Sequence, residues 1–244
     1  MEEKLSEKSK AFYVEAIQLL QKADLSFMIG GALALGEHAN VFRDTKDLDI
    51  FCKPEDYPRI IKECINHGFK VEVTDARWLA KVFKEDYFID IVFGSANNQF
   101  RITQSWFERS IDSKLFGQSV KLLSAEDLIG SKLYVQARER FDAADINHVI
   151  LKKGKNLDWK LIINNLDINW PLLFSQIINF IYVYPGERDN IPKWLIEELI
   201  SRLNNLFEVP VSKMKVCNGP LLDHFLYEVD IREWGYKIAT IGNL

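Results

Sequence analysis

Cysteine is scarce in this chain. Cys52, Cys64 and Cys217 are three thiols spread over 244 residues. They are odd in number, far apart and without metal-ligand spacing, so they exclude a disulfide scaffold or zinc cluster and read as reduced thiols. Histidine is scarcer, at four residues, which argues against the histidine-rich clusters of many metallohydrolases. A strong charge of either sign is also missing. The net value of −4 gives no basic footprint for broad nucleic-acid binding. No apolar run approaches the roughly 20 residues of a membrane span, and Met1 to Lys10 is polar rather than leader-like, so no membrane partner and a cytoplasmic location are expected. Internal repeats and low-complexity segments are absent.

What is present is an ordinary globular composition, 48% hydrophobic and 27% charged, in a chain long enough for one large domain or two modest ones. Leu5 to Lys22 has an amphipathic helical pattern carrying Phe12, Val14, Ile17, Leu19 and Leu20. Ser26–Ile29 reads as a short buried strand ending at Gly30-Gly31, and Ala32–Gly36 as a short helix. Strands are expected over Asp47–Cys52, Lys70–Thr74, Ala80–Lys84 and Tyr87–Phe93, with Glu85-Asp86 as a hairpin turn. A helix over Glu55–His67 follows Pro54 and is ended by Gly68. Phe100–Phe107 reads as an extension and Lys114–Leu123 as one more strand. Ser124 caps a helix expected to reach Arg140, and another begins near Asp142. From Leu157 onward helical periodicity replaces strand alternation. The expectation is an α/β (α+β) protein with a mixed sheet of about five strands over residues 1–152, followed by a mostly helical domain over 153–244.

The chemistry concentrates in Asp47-Leu48-Asp49-Ile50-Phe51. On a strand, Asp47 and Asp49 share one face, about 6–7 Å apart at Cα, while Leu48 and Ile50 turn to the other. Aspartate is a poor strand former and the two anions repel, so the pattern points to use of the carboxylates. The competing reading is two solvated residues on an edge strand. Asp90, in Phe88-Ile89-Asp90-Ile91-Val92-Phe93, strengthens the first reading, since a neighbouring strand would bring three carboxylates together around divalent ions and phosphate oxygens.

Gly30-Gly31 lets the backbone approach a phosphate at a helix start, although a tight turn explains the pair as well. No Gly-Lys-Ser/Thr follows, and the third glycine of a dinucleotide fingerprint is missing. Arg43 is placed to donate two hydrogen bonds to a phosphate, or is an ordinary loop arginine. His38 is read as a packing residue before a ligand. The aromatics at helical spacing in the last third, including Trp159, Trp170 and Trp194, are read as core.

Together, Gly30-Gly31-Ala32-Leu33-Ala34-Leu35-Gly36, His38, Arg43, Thr45 and Asp47-Leu48-Asp49, with Asp90 beyond, resemble the DNA polymerase beta-like nucleotidyltransferase superfamily. The likeness covers residues 20–150. It is nearest the branch of abortive-infection toxin nucleotidyltransferases and small antibiotic adenylyltransferases. The resemblance implies that Asp47 and Asp49 bind two Mg²⁺ ions and that Asp90 completes the metal site and acts as base. It implies that Gly30 and Gly31 cradle the phosphates of an NTP, and that Lys132 reaches the triphosphate. Two positions depart from the family pattern: Gly31 lacks the serine hydroxyl many members carry, and Lys46 replaces a small hydroxyl residue for which Thr45 is the stand-in. Arg138, Arg140, Asp142 and Asp145 resemble a polar cluster of relatives, and a salt-bridge network explains them equally well. The implied activity is transfer of a nucleoside monophosphate from NTP to an acceptor, which could be a small molecule, a tRNA end or a protein side chain. The alternative is a non-catalytic nucleotide-binding or interaction module of a toxin–antitoxin type system.

Overall fold

The computed structural model describes residues 6–42, 45, 47–95 and 97–239. The chain divides into two compact units, Met1–Leu128 and Ile129–Leu244.

In the first unit, α1 (Glu7–Lys22) opens on Ser6, whose hydroxyl accepts the Ser9 amide at 3.0 Å. The expected start at Leu5 lies outside the described residues. Its buried stripe, Phe12, Tyr13, Ala16, Ile17 and Leu20, follows the three-to-four-residue helical repeat. Then come β1 (Met28–Ile29), α2 (Gly31–Ala39), β2 (Asp47–Phe51), α3 (Tyr57–Asn66), β3 (Lys70–Asp75), β4 (Leu79–Lys84) and β5 (Tyr87–Val92). Pro58, rather than Pro54, occupies the first turn of α3, and Gly68 beyond its end has φ +92°.

Among the described residues the sheet has seven strands rather than about five. Part of the expected extension is α4 (Gln104–Arg109), and Lys114–Leu123 belongs to a hairpin of β6 (Ile111–Leu115) and β7 (Gln118–Leu122). The hairpin turns on Phe116 (φ 52°) and Gly117 (φ 77°), the positive-φ pair of a two-residue loop, which a single expected strand overlooked. Strand order is β3-β4-β5-β2-β1-β7-β6. β2 runs parallel to β5 and β1 parallel to β7; the other pairs are antiparallel.

Alternation on the strands sorts the faces. Leu48, Ile50, Ile89, Ile91, Ala80 and Val82 join Phe12, Tyr13, Ile17, Ile60 and Cys64 from α1 and α3 in the main core. On the other side Phe51, Leu79 and Val92 form a smaller cluster with Met28, Ile102, Trp106 and Phe107.

α5 (Ala125–Lys132) crosses from the first unit into the second. Ser124 Oγ accepts the Asp127 amide at 3.1 Å, as a cap should. The helix ends at Lys132 instead of Arg140, because the chain doubles back: Gln136 bridges to Phe141, and the Asp142 amide donates to Val135 O. The second unit then has α6 (Ala143–Lys153), α7 (Trp159–Leu166), α8 (Trp170–Val183), α9 (Lys193–Glu208) and α10 (Glu228–Arg232), with a short parallel pair, β8 (Val216–Cys217) and β9 (Lys237–Ile238). The boundary expected after residue 152 places α6 with the sheet. By its contacts α6 joins the second unit, where Gln176 of α8 donates to both Ala143 O and Asn147 Oδ1. The Cys217–Tyr236 stretch closes on itself: a Cβ on Gly219 would lie 2.1 Å from the Tyr227 ring.

Candidate active site

β2 and β5 pair in parallel with Asp47 opposite Phe88 and Asp49 opposite Asp90. Residues paired in register on neighbouring strands point to the same face, so the two strands bring all three aspartates to one side of the sheet. One carboxylate oxygen from each of Asp47, Asp49 and Asp90 lies within 4.8 Å of the others, and all three residues are half-buried. Asp47 is steadied by Thr45, whose hydroxyl donates to its Oδ1 at 2.6 Å.

The glycine pair sits directly against this cluster. The Gly30 amide donates to Asp49 O at 2.9 Å, which closes β1 onto β2. Gly31 has φ +53°, and a Cβ there would lie 1.7 Å from Asp49 Oδ2. A Cβ on Gly30 would meet the Phe51 ring at 2.3 Å. Both glycines are therefore required by close approach, and α2 starts alongside a carboxylate of the triad.

Residues 9–169 match the family described as "Nucleotidyl transferase of unknown function (DUF2204)". The chain belongs to that family. The chain shows low similarity to several solved structures. These include the lincosamide antibiotic adenylyltransferase LnuA, lincomycin-bound (17% identity, TM-score 0.43, 59% of this chain and 96% of that one). ANT(2″)-Ia in complex with adenylyl-2″-tobramycin is 16% identical, with a TM-score of 0.42 over 72% of this chain and 99% of that one. A putative nucleotidyltransferase from H. pylori is 15% identical, with a TM-score of 0.37 over 83% and 99%. No curated protein matches.

The remaining predicted residues of this nucleotidyl transferase fall in different places. Arg43 and Lys46 lie outside the described residues. Lys132 belongs to the second unit, where its buried ammonium donates to Asp142 Oδ2 at 2.6 Å and Asp145 Oδ2 at 2.8 Å. Burial alone would raise the Asp142 pKa; the Lys132 charge and hydrogen bond, with Arg140, more than offset it and hold it below the ordinary value. Arg138 contributes its backbone amide, which donates to Asp223 Oδ2. His38 is a packing residue: it is buried, and its Nε2 donates to Leu123 O at 2.7 Å.

Lys81 of β4 is the residue that sequence reasoning missed. It stands opposite Asp90, and its Nζ donates to Asp90 Oδ1 at 2.6 Å. The signal was available in the alternation of Leu79-Ala80-Lys81-Val82, which puts a lysine where a neighbouring strand could meet Asp90. Tyr13 of α1 also feels the cluster. Burial, then the charges of Asp47, Tyr87 and Asp49, push its hydroxyl up to about 12. No helix among the described residues is long and apolar enough to cross a membrane.

Proposed function

We propose that this nucleotidyl transferase moves a nucleoside monophosphate from an NTP to an acceptor nucleophile, with pyrophosphate leaving. Asp47, Asp49 and Asp90 would hold Mg²⁺. The donor set fits such an ion: three half-buried carboxylates converge within 4.8 Å, and Gly31 keeps clear the space beside Asp49 that a side chain would fill. Bound Mg²⁺ would supply charge neutralisation for the triphosphate and the leaving pyrophosphate.

The chain's own residues do the positioning. Thr45 fixes the orientation of Asp47. Because the Gly30 amide is committed to Asp49 O, we assign the phosphates to Gly31 and the first turn of α2, where backbone amides and the helix dipole favour an anion. Gly30 shapes that turn, and Arg43 adds a phosphate donor. Asp90 is the base for the acceptor proton, accepting it at its carboxylate. Lys132 spends its charge on two carboxylates, which favours the structural alternative for that residue.

The observation that carries this reading is the Asp49–Asp90 register, which gathers repelling carboxylates where an edge-strand origin would scatter them. The test is calorimetric titration of each NTP with Mg²⁺, alongside pyrophosphate release in the presence of small-molecule, tRNA and protein acceptors. Binding that requires Mg²⁺ and disappears in the folded Asp47→Asn/Asp49→Asn double variant is expected. Undiminished binding or turnover by that variant removes the carboxylates from the mechanism. Failure of every NTP to bind the wild type would favour the non-catalytic module.

A further inference from the structure

The acidic face contains its own cation. Lys81 and Asp90 are directly paired across β4 and β5, and the ammonium reaches Asp90 Oδ1 at 2.6 Å. The pair is well sheltered, with side-chain exposures of 25% for Lys81 and 14% for Asp90. The ammonium also lies 4.1 Å from the centre of the Phe88 ring, and Phe88 stands opposite Asp47 on β2. A cation held on one side by a carboxylate and on another by an aromatic face is fixed in place. Glu72 of β3, the other neighbour of Lys81 in register, is exposed.

These contacts have a consequence for the charge of the site. Among the described residues, the Lys81 ammonium offsets one of the three carboxylate charges. A divalent ion entering the triad meets Lys81 as a like charge beside one of its ligands, and Asp90 serves the ion while one of its oxygens is already engaged. We propose that Lys81 is the resident counter-cation of the triad: it holds Asp90 in place before metal arrives and weakens the site's affinity for a free divalent ion. Tight metal binding then requires the added negative charge of the nucleotide. The inference rests on the metal-binding reading of the triad and concerns how that site is regulated.

The test measures Mn²⁺ binding without nucleotide, by calorimetry and by the free-Mn²⁺ paramagnetic resonance signal. Wild type, Lys81→Gln, Lys81→Arg and Asp47→Asn/Asp49→Asn are compared. Lys81→Gln is expected to bind Mn²⁺ at least about tenfold more tightly, because a like charge is removed from a sheltered site. Lys81→Arg, which keeps the charge, stays near wild type. Unchanged or weaker Mn²⁺ binding by Lys81→Gln overturns the proposal, as does a loss confined to NTP affinity, which would make Lys81 a phosphate ligand. Binding by the double aspartate variant equal to wild type is a different failure, that of the metal site itself. If Lys81→Gln does not fold, the wild type decides: the Lys81 ¹⁵Nζ resonance, assigned with Lys81→Arg, shifts on Mg²⁺ addition if the proposal holds and stays still if it does not.

Discussion

Gly31 and Asp49 are fitted so closely that a single methyl group on the glycine would sit 1.7 Å from the carboxylate Oδ2. The glycine is also in the left-handed region at φ +53°. Both facts converge on one substitution.

Gly31→Ala should cost roughly 1–2 kcal/mol through the backbone conformation alone, and more as Asp49 is displaced. Its larger effect is expected on the site: Mg²⁺-dependent NTP binding should fall by at least about a hundredfold, about 2.7 kcal/mol, in protein that still melts cooperatively. Calorimetry and thermal denaturation on the same sample check both parts. Wild-type affinity in this variant would mean that Asp49 is not held where the ligand binds.

Tyr13 gives a prediction of opposite sign. It is fully buried, and its hydroxyl has no hydrogen-bond partner among the described residues. Tyr13→Phe should therefore stabilise the protein by about 1 kcal/mol, since an unsatisfied buried hydroxyl is a cost. The pH dependence follows from the raised pKa. The unfolded chain ionises near 10 and the folded one near 12, so stability is present below 10 and is lost as pH climbs towards 12. Urea melts from pH 9 to 12 should show a shallower alkaline loss in Tyr13→Phe. Parallel curves would remove Tyr13 as a source of that loss.

Lys132 tests the second unit. Lys132→Met leaves Asp142 and Asp145 without their shared ammonium, and a loss of about 3–5 kcal/mol is expected from breaking such a buried arrangement. In the wild type the Asp142 pKa is depressed, so its stabilising contribution is present above the ordinary 3.8 and fades as pH falls below it. Without Lys132 only the exposed Arg140, at 3.4 Å, still opposes the larger effect of burial on Asp142, and the variant should gain stability on mild acidification. Hydrogen exchange of α6 amides between pH 4 and 7 separates the two. Identical pH trends would assign Lys132 no electrostatic role.

Much of the first unit was legible in the residues themselves. The alternation around Asp47 and Asp90 placed each carboxylate opposite its apolar neighbours, and Gly68 and Ser124 ended and capped helices where their chemistry suggested. The sequence did not reveal features that depend on distant partners. The end of α5 at Lys132 depends on a turn that brings Asp142 and Asp145 back to the lysine, and helical periodicity continues past it. The β6–β7 hairpin was hidden because Phe116 takes a positive φ that bulky side chains rarely adopt. Lys81 went unnoticed because a lone lysine in a strand is ordinarily solvated, and only the β4–β5 register gives it Asp90.

β2 and β5 are neighbours in space but are separated along the chain by α3, β3 and β4. The β3–β4–β5 meander closes through short turns, whereas joining β2 to β5 closes a long loop and comes at a higher entropic cost. The carboxylate cluster is thus a product of the least local pairing in this half of the sheet. A nascent or partly collapsed chain carries the same three aspartates without the cluster they make, so any divalent ion or nucleotide that the cluster holds would stabilise only the finished fold and act as a checkpoint on its completion.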